Sequence, residues 1–253
     1  MKSFKLLLKN WKFWLLCYLI DAGFIYVFMY LQYSVMSRMA EYVKTINEIV
    51  LQAGQSAVEN LDASLTNSPE FLSNYFAMFK LTAILLVGIL AVWLVFQCIN
   101  WWITRKLIKK TSPFVLSFVL WSAVLYIIYV AVVLVAVVLS QYLTFTVPNT
   151  SFTTFVALIA FFVLLYFGFV AYSVPELGIK RILKLCLVRT IMWNYLISLF
   201  CLGVVFGLSA LFVVKYDFVF VGILVFILVF IPLFSWARIR IALSANESVH
   251  KTR

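Results

Sequence analysis

One histidine, four cysteines and nine carboxylates are all that this chain of 253 residues offers to acid–base, metal or redox chemistry. His250 stands alone, and Cys17, Cys98, Cys186 and Cys201 show no CxxC spacing. The clustered ligands of a zinc or haem site are missing, so no metal or cofactor is expected. Charge is scarce too. Only 11% of residues are charged and 66% are hydrophobic, against roughly 25% and 45–50% in a soluble domain. Too little polar surface remains to coat a water-soluble core. The composition equally excludes a disordered chain, a collagen-like repeat and a disulfide scaffold. Gly88, Gly168 and Gly222 sit singly inside apolar runs, which excludes a phosphate-binding glycine loop. What the chain has in abundance is long hydrophobic runs.

A helix crossing the hydrocarbon core needs about 20 mostly apolar residues, at ~1.5 Å per residue over ~30 Å. Six stretches qualify, at about residues 13–33, 76–103, 114–139, 152–174, 190–214 and 218–237. Stretches such as 124–138 do not alternate polar with apolar, as barrel strands would. The fold class read from these runs is all-α. It is a polytopic integral membrane protein with six transmembrane helices in a single membrane domain over 1–253. An outer helical hairpin at 34–74 lies between helices 1 and 2. The first run is longer than the apolar core of a signal peptide and lacks a small-residue cleavage site, so it reads as a retained helix.

The connections sort by charge. The N-terminal segment carries Lys2, Lys5, Lys9 and Lys12, and the second-to-third loop carries Arg105, Lys106, Lys109 and Lys110. The fourth-to-fifth loop carries Lys180, Arg181, Lys184 and Arg189, and the C-terminal tail carries Arg238, Arg240, Lys251 and Arg253. These 16 basic residues face only Glu176 and Glu247, a net +14. The opposite connections hold four basic and six acidic residues, a net −2. Asp21, inside the first run, completes the total of +11. The positive-inside rule places both termini in the cytoplasm of a cell-membrane protein. Trp11, Trp14, Trp101, Trp102, Trp193 and Trp236 fall at the inner ends of the runs and Tyr30, Tyr33, Tyr75, Tyr142 and Tyr216 at the outer ends, as interfacial aromatics do.

In the outer segment, Met36, Met39, Val43, Ile46, Val50, Ala53 and Ala57 form a heptad seam beside the charged face of Arg38, Glu41, Lys44 and Glu48. The spacing predicts that helix 1 continues to about Leu51, with a break or bend near Gly54. A second piece follows at 56–65, with a stripe of Val58, Leu61 and Leu65. Ser68, Pro69 and Glu70 read as an N-cap, a first-turn proline and a first-turn acid. A seam of this kind packs on itself, lies on the membrane, covers a cavity or docks a protein partner.

Asp21 lies nine residues past Lys12, about 13 Å into the membrane. An ionisable group at that depth costs at least ~2.5–3.5 kcal/mol on insertion scales. Depth matches it to Gln97, Ser198 and Ser122, which define a possible intramembrane polar layer. No Lys or Arg is expected at that depth. Desolvation then favours a neutral Asp21, serving as a hydrogen-bonded link to Gln97 between helices, as a proton- or cation-coupled relay, or as an intermolecular contact.

Gly203 and Gly207 form a GxxxG pair that permits close helix packing, and Pro232 should kink the sixth helix. Gly207-Leu208-Ser209 has a Gly-x-Ser form, but His250 falls on the other side of the membrane, so protease chemistry is rejected. Asn149-Thr150-Ser151 is a glycosylation-type tripeptide too close to the membrane for modification. The basic residues Arg105, Lys106, Lys109, Lys110, Lys180, Arg181, Lys184 and Arg189 form a cytoplasmic face toward anionic lipids, or toward a cytoplasmic partner. Within it, 175–188 interleaves Ile and Leu with Lys and Arg as a short amphipathic helix in the interface plane. The positive charge is accounted for by topology, and no nucleic-acid partner is expected. The sequence therefore points first to a non-enzymatic accessory or scaffold subunit acting through the outer hairpin and the basic face. It points second to a small-solute or ion transporter around Asp21, and third to an enzyme.

Overall fold

The structure is a computed structural model that describes residues 9–56, 68–108, 114–144, 150–214, 223 and 225–251. Seven α-helices are seen among them: α1 (Trp11–Ser56), α2 (Pro69–Leu107), α3 (Val115–Thr144), α4 (Thr150–Ser173), α5 (Ile179–Cys186), α6 (Arg189–Val214) and α7 (Ile231–Lys251). A π-helical turn, Phe226–Phe230, precedes α7. No strand occurs among the described residues. Six helices are long and apolar enough to span a membrane, namely α1, α2, α3, α4, α6 and the turn with α7. This is the make-up of a multi-pass membrane protein. Leu116, Ile127 and Phe200 lie exposed on their helices, and such surfaces suit hydrocarbon rather than water.

The stripe of Val58, Leu61 and Leu65, the residues Lys2, Lys5, Lys109, Lys110 and Arg253, and Asn149 lie outside the described residues. Helix α1 runs on through Gly54 to Ser56, without the expected break. Of its heptad seam, Met36 and Val43 are exposed while Met39, Ile46 and Val50 are half-buried. Ser68 caps α2 as its sequence indicates: the Phe71 N–H donates to Ser68 Oγ at 3.3 Å, and Pro69 and Glu70 form the first turn.

Of the sixth span, expected at 218–237, residues 218–222 and 224 lie outside the described residues, and the helix does not stop at 237. The apolar helical stretch covers Phe226–Val249, and the supposed tail continues as α7 to Lys251. Arg238 and Arg240 do not end the helix, and side-chain partners inside the protein accept both. Pro232 has no N–H and its ring crowds the carbonyl four residues back. The chain answers with the wider turn of Phe226–Phe230, in which the Ile231 N–H bonds the Phe226 carbonyl.

The chain divides into two compact units. The first comprises Met1–Ala22 and Leu94–Arg253. Its core joins Cys17 of α1, Ile103 and Leu107 of α2 and Ile239 of α7, flanked by Trp14, Ile20, Trp236 and Leu243. Beside it Trp101 packs edge-on against Phe169 and Tyr172, both centroids at 5.5 Å, and Phe118 meets Tyr172 at 4.5 Å. Aromatic pairs of this geometry add about 0.5–1.5 kcal/mol each beyond area burial. The second unit, Gly23–Trp93, holds the rest of α1 and the first part of α2. Gly88 admits Leu31 so closely that a Cβ there would lie 2.8 Å from a Leu31 methyl, and Phe24 packs edge-on against Trp93 at 5.8 Å.

Candidate functional site

Asp21 is 2% exposed, and four side chains converge on its carboxylate. Oδ1 accepts from Gln97 Nε2 at 3.2 Å and Asn100 Nδ2 at 2.6 Å. Oδ2 accepts from Ser235 Oγ at 2.8 Å and from Arg238 Nη2. A carboxylate has about four acceptor sites, and these four donors fill them. Helix periodicity explains the convergence. Gln97 and Asn100 are three apart on α2, and Ser235 and Arg238 three apart on α7, so each pair shares a face. All four donors are buried.

This corrects the expectation of a cation-free layer. Arg238 is 1% exposed and forms a salt bridge with Asp21. The guanidinium stands against the carboxylate as a buried ion pair. The guanidinium also stands over the Phe234 ring at 5.6 Å. Its Nε and Nη1 and Asn100 Oδ1 are buried without a partner among the described residues.

Of the three residues matched to Asp21 by depth, the structure brings Gln97 to it and leaves the two serines elsewhere. Ser122 bonds the Tyr172 hydroxyl at 2.9 Å, and Ser198 donates to its own helix at the Asn194 carbonyl, 2.7 Å away. Depth alone does not fix the direction a side chain takes around a helix. Asn100, Ser235 and Arg238 were missed by the sequence reading. The available signal was the pair of i, i+3 polar positions on two otherwise apolar helices.

The basic residues divide in two. Lys106, Lys180, Arg181, Lys184 and Arg189 are exposed. Arg105 is not a surface residue: it is buried, donates to the Ser173 carbonyl at 3.2 Å, and meets Glu176 at 3.5 Å. It thereby ties the end of α2 to the turn after α4. Two further links hold this region. The Tyr166 hydroxyl donates to the Cys186 carbonyl at 2.6 Å, anchoring α5, and Tyr195 donates to the Phe162 carbonyl at 2.6 Å. Burial pushes the Cys186 thiol up to about 12.

Gly203 and Gly207 mediate no close approach among the described residues, since a Cβ at either would meet nothing within 4 Å. Asn246, which opens a tripeptide of the same glycosylation type, Asn246-Glu247-Ser248, is buried in α7. No protein-family model matches this chain, no curated protein matches its sequence, and no solved structure matches its fold.

Proposed function

We propose that this chain is a non-enzymatic membrane protein, an accessory or scaffold subunit. It resides in the cell membrane with both termini in the cytoplasm, and acts through the helical segment after the first span and through its basic face. One observation carries the reading. The acid at Asp21 commits all its acceptor capacity to its own bundle and is sealed from solvent. A group so engaged is a fastener between α1, α2 and α7, because a relay needs an acid that can exchange its partners and reach water. The seam residues Met36 and Val43 remain exposed on α1. Helix α1 has 46 residues, and at ~1.5 Å per residue it is about twice the length needed to cross ~30 Å of hydrocarbon. These two features support a docking segment beyond the first span.

Affinity purification of the full chain from its native membrane in mild detergent, followed by mass spectrometry, tests this reading. A stoichiometric protein partner, lost on Met36→Glu with Val43→Glu, is the expected result. A chain that purifies alone and drives solute or proton flux in proteoliposomes overturns it. The second reading, a small-solute or proton-coupled transporter, is favoured by one observation: the unpartnered Arg238 Nε and Nη1 and Asn100 Oδ1 beside the acid. Buried polar atoms of this kind commonly hold water.

A further inference from the structure

We propose that α5 is an interfacial element that binds anionic phospholipid headgroups and inserts an apolar edge among their acyl chains. At about 100° per residue, its residues fall into three adjacent sectors. Ile182, Leu185 and Cys186 occupy one and are buried against the rest of the first unit. Ile179, Leu183 and Leu187 occupy the next and are exposed, Leu187 at 83%. Lys180, Arg181 and Lys184 fill the third and are exposed. An ordinary surface helix has two faces, apolar inward and polar outward. Here an outward apolar stripe lies between the buried face and the basic one. That order matches the sequence protein, acyl chain, headgroup met at a membrane interface.

Three further features agree. Lys106 sits over the exposed Trp102 ring at 3.9 Å, a basic–indole pair of the kind that favours the headgroup level. The helix is fixed at its C-terminal end by Tyr166, so its sectors hold their orientation. At its N-terminal end a hollow of ≈ 380 Å³ is lined by Glu176, Leu177, Gly178, Ile179, Lys180 and Arg181. The Glu176 carboxylate in it is already engaged by Arg105, which leaves Lys180 and Arg181 to set the charge. Charge complementarity thus selects a phosphate-bearing surface, and the apolar stripe selects a lipid one over free phosphate.

This deepens the part of the proposed function that concerns the basic face. It rests on the six spans and does not depend on the scaffold role, so partner capture can fail while lipid selection holds. The test uses the full chain with Leu187→Cys, in a background of Cys98→Ser and Cys201→Ser, labelled with an environment-sensitive fluorophore. It is reconstituted into phosphatidylcholine vesicles containing phosphatidylglycerol, with one lipid or the other brominated. The expected result is quenching by both lipids, stronger for brominated phosphatidylglycerol, with a preference that declines as salt is added. Each basic residue at an anionic surface strengthens attachment by roughly fivefold. Lys180→Gln, Arg181→Gln and Lys184→Gln together should therefore erase most of the preference while quenching itself persists. No quenching by either lipid, as when water or a protein covers the helix, overturns the proposal. Equal quenching by the two overturns headgroup selection. Loss of the preference on adding inorganic phosphate, where chloride at the same ionic strength preserves it, shows a free-anion site and overturns the lipid assignment. The salt series needs no charge variant, so the proposal stays decidable if the triple variant fails to fold.

Discussion

Asp21 and Arg238 stand 217 positions apart in the chain and form a salt bridge from which solvent is excluded. The pair closes α1 onto α7, while Gln97 and Asn100 bring α2 to the same carboxylate. Three helices therefore share one charge. A buried pair of this kind contributes modestly compared with a well-packed apolar substitute, yet breaking it is costly because one charge is left stranded.

Asp21→Asn retains the shape of the side chain but strands the Arg238 charge. The expected loss is about 3–5 kcal/mol of stability, read as the denaturation midpoint in detergent. Ser235→Ala removes one neutral donor and should cost only about 1 kcal/mol. Equal stability of wild type and Asp21→Asn is the outcome that speaks for a relay acid with no structural role.

At Gly88, Ala places its Cβ against a Leu31 methyl, the movable end of a flexible side chain. Gly88→Ala should therefore cost less than about 1 kcal/mol, while Gly88→Phe forces α1 and α2 apart in this unit and costs about 1–3 kcal/mol. Leu31→Ala should restore part of the Phe variant. Thermal unfolding of the three proteins measures this.

The raised Cys186 thiol gives a pH prediction. The neutral thiol is favoured in the folded chain, so its contribution to stability is complete below the ordinary thiol value, about 8.5, and is lost as pH rises toward about 12. Because the thiolate is the reactive form, Cys186 should resist maleimide at neutral pH. Tyr166→Phe removes the hydroxyl that holds the Cys186 carbonyl and should raise labelling of Cys186 several-fold, as mapped by peptide mass spectrometry.

Gly203 and Gly207 face open space among the described residues. Gly203→Ala and Gly207→Ala should leave stability unchanged or raise it by up to about 1 kcal/mol each through helix propensity. A marked loss of stability, or a change of oligomeric state in detergent, would reveal a contact between copies at this face.

The spans were legible because hydrophobic runs of this length have few alternative structures. Ser68, Pro69 and Glu70 were legible because capping is local. Asp21 stood out because an acid in an apolar run has no bland surroundings to hide in. Its partner did not. Arg238 looks like the first residue of a tail, since basic residues commonly mark a helix end, and only the tertiary packing of α7 against α1 reveals its pairing. The same logic misplaced Arg105, whose partners Ser173 and Glu176 come from a different helix and the turn beyond it. Ser122 and Ser198 failed for the opposite reason. Their depth was suitable, but Tyr172 and the Asn194 carbonyl satisfy them locally.

The central claim is that Asp21 serves as a fastener, and a double-mutant cycle on Asp21→Leu and Arg238→Met tests it most directly. Stability of the four proteins is measured by denaturation in the same detergent. The two single variants should each lose about 3–5 kcal/mol. The double variant, with neither charge left buried, should lose far less than their sum, giving a coupling of about 2 kcal/mol or more. Additive losses would contradict the claim, because they would mean that the two residues fold and function independently.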